Sequence, residues 1–97
     1  MFARMTIAHT LPGKAEDVLR IERDSIVPAC KQQKGFKGLY LLQDHKTNKG
    51  LTISLWETEA DMRAAEASGF YQQQVAKVKD ALVAPPVREE YEVSIAP

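Results

Sequence analysis

Cysteine occurs once in these 97 residues, at Cys30, so neither an intramolecular disulfide nor a cysteine-rich metal site can form. Net charge is also missing: thirteen Lys and Arg balance thirteen Asp and Glu. Such a surface has no overall field to gather phosphate backbones or anionic lipid, so neither nucleic acid nor membrane is expected as a partner. No stretch approaches the roughly 20 apolar residues of a membrane span, and the opening MFARMTIAHTLPG lacks the apolar core of a secretory signal. A cytoplasmic location is the resulting expectation. A glycine-rich phosphate loop, an HExxH zinc pattern and a serine or cysteine nucleophile arrangement are all absent, so no metal site is expected. The chain is also too short for a flavin or nicotinamide fold.

What is present suits one globular domain spanning 1–97, with 44% apolar and 27% charged residues. Residues 2–11 read as a strand in which Met5, Ile7 and His9 share one face and Phe2, Arg4, Thr6 and Ala8 the other. Pro12 and Gly13 stop it. From Ala15 to about Lys31 the period becomes helical, with Ala15, Val18, Leu19, Ile26, Ala29 and Cys30 on one stripe and a kink or end near Val27 imposed by Pro28. The segment GFKGLYLLQ is a second strand, DHKTNKG a turn, and LTISLWE its hairpin partner. Thr58 and Asp61 form a capping-box-like start for the helix EADMRAAEA, and Ser68 and Gly69 interrupt it. Tyr71, Val75, Val78 and Leu82 then recur on one face, APP ends the helical region, and VREEYEVSIA closes the chain as a strand.

The order βαββαβ predicts a ferredoxin-like α+β sandwich, a four-stranded antiparallel sheet with helices on one side. Its other face is expected to be apolar, with Phe2, Ala8 and Trp56 among its residues. A homodimer packed sheet on sheet would cover it.

Among the candidate site residues, Trp56, the only tryptophan, closes the third strand, where it serves packing, pocket lining or both. Parity directs His9 toward the helices, and Glu22 falls within the first helix's apolar stripe. If both line one cavity, the carboxylate orients the imidazole and the imidazole takes a proton from a phenolic substrate. The alternative is a solvent-facing Glu22 and a His9 satisfied near a strand end. Tyr71 and Tyr40 are further pocket donors. Arg4 is expected at the dimer cleft or strand rim, and His45 in solvent on the hairpin loop.

The strand KGFKGLYLLQD after the first helix, and above all ISLWETEADMRAAEASGFYQQ, resemble the antibiotic biosynthesis monooxygenase-like domains of the dimeric α/β-barrel group. The resemblance covers the whole chain. It implies a dimeric α/β barrel and a monooxygenase that acts on a small hydrophobic phenol, quinol or anthrone without a cofactor. In the haem-degrading branch of that group, a second tryptophan and an iron-binding histidine follow the strand tryptophan. Their positions, counted from Trp56, fall on Ala65 and Val75, which disfavours haem. Two other readings stay open: a non-catalytic homodimer that binds a small aromatic ligand or is purely structural, and an isomerase or decarboxylase-like proton-transfer enzyme.

Overall fold

The computed structural model describes residues 1–97. The chain starts with β1 (Phe2–His9), and a helical rod follows in three pieces: α1 (Ala15–Ile21), a π-helical turn (Glu22–Ile26) and α2 (Val27–Cys30). The hairpin strands are β2 (Phe36–Asp44) and β3 (Lys49–Trp56). Then come α3 (Glu59–Ala67), α4 (Phe70–Ala76), a 3₁₀ turn (Lys79–Ala81) and β4 (Val87–Glu92). Strand order in the antiparallel sheet is β2-β3-β1-β4. The ferredoxin-like βαββαβ architecture is thus present.

The expected α/β barrel is not. β2 and β4 are the two ends of the sheet and do not pair, whereas a barrel requires its edge strands to meet. The sheet is open, and its face away from the helices carries exposed Tyr40, Leu42, Val87 and Tyr91.

Local chemistry accounts for the element ends. Pro28 has no N–H to give to the carbonyl four residues back, and the turn ahead of it widens so that the Val27 N–H reaches the Glu22 carbonyl instead. The kink expected near Val27 therefore takes the form of a π turn that begins at Glu22. Thr58 caps α3, its Oγ1 accepting from the Asp61 N–H at 3.1 Å. Gly69, at φ +85°, adopts the left-handed conformation that separates α3 from α4.

Strand parity is reversed from the expectation. Arg4, Thr6 and Ala8 of β1, with Thr10 just past its end, border the space beneath the helices together with Gly50, Thr52, Ser54 and Trp56 of β3, while His9 is exposed and lies outside that space. Apolar alternation was misleading because Met5 and Ile7 point to the open face, which is itself apolar. Phe2, Ala8 and Trp56 accordingly belong to the helix side and not to the open face. Arg4 shares their side, away from any sheet-on-sheet cleft.

The core is small. Only ten residues are buried, and the main apolar cluster is Trp56, Met62 and Ala65 with Phe2, Phe36 and Phe70 packed around it. Phe36 meets Trp56 edge to face at 5.7 Å between ring centroids. This cluster joins sheet to helices at one end of the sandwich, while the other end stays open. Met62 is fully buried at its centre. Met62→Ala is expected to cost about 2–5 kcal/mol, measured as a lowered urea midpoint with little change in slope.

Candidate functional site

A cavity separates the sheet from the helical layer. Its volume is about 100 Å³ by the positions a water centre can occupy. One water needs roughly 10–15 Å³ on that measure, so there is room for a small ring compound. The floor is β1 and β3, with Leu39, Leu41 and Gln43 of β2. The first helical rod contributes Ala15, Val18, Glu22, Ile26 and Cys30, and α4 contributes Phe70, Tyr71, Gln74 and Val75. At the hairpin end the rim is formed by Asp44, His45, Asn48 and Lys49. His45 is exposed there, as the sequence suggests, but it borders the mouth. Thr10 closes part of the same end, its N–H donating to the Asn48 carbonyl at 2.9 Å.

Glu22 is 7% exposed. Its Oε1 accepts from the Thr52 hydroxyl at 3.3 Å, and its Oε2 is buried without a partner. Burial raises its pKa above the ordinary carboxylate value, and the Thr52 hydrogen bond offsets only part of that shift. The carboxylate therefore sits on an apolar wall, at the start of a π turn, with one oxygen free. Such turns recur at functional sites.

Arg4 anchors the closed end. The residue is 2% exposed, and its guanidinium donates to the Met62 carbonyl at 3.1 Å and to Glu66 Oε2 at 3.0 Å, with Glu90 at 3.9 Å. It also stacks on the Tyr71 ring, 4.6 Å from the centroid. Burial lowers its pKa, and Glu66 and Glu90 act against that shift. Arg88 pairs with Glu66 at 2.6 Å and faces the same Tyr71 ring, while Arg63 bridges Glu66 and Glu90. The Tyr71 hydroxyl shares a hydrogen with Thr6 Oγ1 at 3.3 Å.

Of the residues expected at a site, Glu22, Trp56 and Tyr71 are brought together on the cavity wall. Trp56 does both things open to it: it belongs to the core cluster and lines the cavity, and its indole N–H donates to Ser54 Oγ at 3.0 Å. His9 and Tyr40 are elsewhere, each exposed and neither on the cavity wall. The pairing of His9 with Glu22 thus has no shared cavity to work in.

Sequence reasoning placed Arg4 wrongly and passed over Gln74, which is 9% exposed with its Oε1 unpartnered. The only signal for Gln74 was its position three residues after Tyr71, on the same helical face. Cys30 is buried on the wall, its thiol pushed up to about 11 by burial and the nearby Glu22 charge, with Lys77 acting in the opposite sense. Ala65 lies in the core cluster and Val75 on the cavity wall, so those positions offer neither a ring nor an imidazole. No group of three or more His, Cys, Asp or Glu side chains converges as a metal cage, and no helix is long and apolar enough to cross a membrane.

Solved structures share this architecture. The Streptomyces coelicolor monooxygenase from the gene ActVA-Orf6, in complex with nanaomycin D, superposes with a TM-score of 0.81 at 14% identity, covering 99% of this chain and 91% of that one. The protein of unknown function NE2512 from Nitrosomonas europaea gives 0.74 at 22% identity, over 99% and 91%. Rv0793 from Mycobacterium tuberculosis gives 0.75 at 14%, over 98% and 96%. At such identities the likeness speaks for the fold alone. No curated protein matches the sequence. The family description "Antibiotic biosynthesis monooxygenase", which names an oxidoreductase activity, matches residues 1–77, well over half of the chain. The protein belongs to the antibiotic biosynthesis monooxygenase family.

Proposed function

We propose that the protein is a cofactor-independent monooxygenase acting on a small hydrophobic phenol, quinol or anthrone, with Glu22 as the proton acceptor. The observation that carries this reading is the unpartnered Glu22 Oε2 on the wall of an otherwise largely apolar cavity. A carboxylate with a raised pKa is a stronger base than an exposed one, and a phenolic or anthrone hydrogen presented to Oε2 has an acceptor in place. Removing that proton leaves an electron-rich ring that can react with dioxygen. For an anthrone the atoms balance without an outside reductant: the ring CH₂ becomes C=O, and the second oxygen atom leaves as water with the two hydrogens. Trp56, Phe70 and Leu39 supply apolar walls for such a ring, and Tyr71 supplies a hydroxyl. The S. coelicolor monooxygenase is bound to nanaomycin D, and the shared fold makes a related ring compound a reasonable first choice here.

The test is dioxygen consumption against a panel of phenols, quinols and anthrones, with product mass identifying the incorporated oxygen. Because Glu22 must be ionised to accept a proton, kcat/KM should rise with pH through its elevated pKa. Glu22→Gln should remove this ascending limb and lower kcat/KM by roughly 10²- to 10⁴-fold. A variant with full activity and an unchanged pH profile would rule Glu22 out as the base.

The same shift sets a stability prediction. The folded state holds the Glu22 proton more tightly than the unfolded state does, so this group's contribution to stability falls as pH rises from the ordinary carboxylate value through the elevated one. Glu22→Gln should therefore have a higher urea midpoint than the wild type at neutral pH. The gain should vanish in acid, below about pH 4, where the wild-type carboxyl is protonated in both states.

We further propose that two copies pair over the open sheet face. Support comes from the exposed apolar side chains Tyr40, Leu42, Val87 and Tyr91 on a sheet that has nothing packed on that side. A specific contact of this kind buries at least about 1,000 Å². Sedimentation equilibrium should report a dimer in the micromolar range, and Leu42→Arg should shift it to monomer while leaving the cavity residues untouched.

A further inference from the structure

Three buried side-chain polar atoms lack a hydrogen-bond partner: Arg4 Nε, Glu22 Oε2 and Gln74 Oε1. All three residues line the same cavity. Arg4 Nε has Glu90 at ion-pair distance, whereas the two oxygens have no donor from the chain. Unserved buried acceptors are uncommon in folded proteins because desolvation without a replacement bond is costly. Both belong to residues of one cavity wall, so a ligand seated there is a candidate donor to each.

Their placement follows from the sheet. Glu22 is tied to Thr52 of β3, and Thr52 pairs directly with Thr6 of β1. Thr6 meets the Tyr71 hydroxyl, and Gln74 follows Tyr71 by three residues on the same face of α4. Glu22 and Gln74 thus reach one cavity from different helical segments.

We infer that Glu22 and Gln74 form a paired acceptor site that selects a ring compound carrying two hydroxyl hydrogens, with Gln74 as the specificity-determining residue. The inference deepens the oxygenase reading, since it names the pattern of donors the substrate must bring, but binding can be measured without turnover. A phenol that presents one hydrogen serves Glu22 and leaves the Gln74 oxygen desolvated. The fully methylated ether leaves both unserved, and a carboxylate ligand is repelled by Glu22.

Resorcinol, its monomethyl ether and its dimethyl ether present two, one and no such hydrogens on one ring. In anaerobic titrations followed by protein NMR, affinity for the wild type is expected to fall about tenfold with each hydrogen removed. In Gln74→Leu, the step between resorcinol and the monomethyl ether should disappear while the step to the dimethyl ether persists. Equal weakening of all three ligands by Gln74→Leu would assign Gln74 to packing and overturn the inference. A flat series on the wild type would overturn it regardless of how the variant folds, by showing that water serves both oxygens equally well. Dioxygen consumption separates the two readings. Turnover with a flat series removes the acceptor pair and leaves the oxygenase, whereas a graded series without turnover on the full substrate panel does the reverse.

Discussion

The buried Arg4 guanidinium is the interaction on which the arrangement of layers depends. One side chain from β1 ties the sheet to α3 through the Met62 carbonyl and Glu66, to β4 through Glu90, and to α4 through the Tyr71 ring. Burying a cation is costly, and only a full set of partners makes it tolerable. Arg63 and Arg88 share the carboxylates of Glu66 and Glu90, so the network holds its charges in alternating sign rather than leaving Arg4 to a single partner. Beside it lies the Trp56, Met62 and Ala65 cluster. Polar and apolar contacts thus fasten the same end of the sandwich.

Fastening one end permits the other to gape. With only ten residues buried, the helices do not press onto the whole sheet, and the space between the layers persists as a cavity toward the β2-β3 hairpin. The first helical rod crosses this space carrying Glu22, and the π turn required by Pro28 starts at that residue. A domain built only for stability would fill the gap and neutralise Glu22. Keeping both an empty volume and a carboxylate with a raised pKa costs folding free energy, which is the usual mark of a site held ready for a ligand.

Much of this fold was legible in the sequence because punctuation is a local property. Pro12 and Gly13, Pro28, Thr58, the Ser68–Gly69 break and the hairpin turn all act where the sequence shows them, and the βαββαβ order follows. The strand faces were not legible. The reading assumed that apolar residues point toward the helices, yet Arg4, Thr6 and Thr10 do so while Met5 and Ile7 point the other way. That inversion also misplaced His9, Arg4 and Trp56. Glu22 was found because a charge within an apolar helical stripe stands out at any register. Gln74 was not, since within the run Gln72, Gln73, Gln74 only its spacing of three from Tyr71 marks the one that is buried. The barrel came from resemblance alone, and strand pairing across the two edges, which it requires, is a nonlocal property that a single open sheet does not meet.

The inversion has a physical logic that joins the two faces. On the inner face Arg4, Thr6, Thr52 and Ser54 stand among Trp56, Leu39 and Leu41, so less apolar area is left there to press against the helices. The outer face, with Tyr40, Leu42, Val87 and Tyr91, carries further apolar area that the helices do not cover. Association on that side would contribute stability without touching the cavity, because alternate residues of each strand serve opposite faces. Polar chemistry within and adhesion without are therefore separable along every strand, and the inner residues are free to be chosen for a ligand.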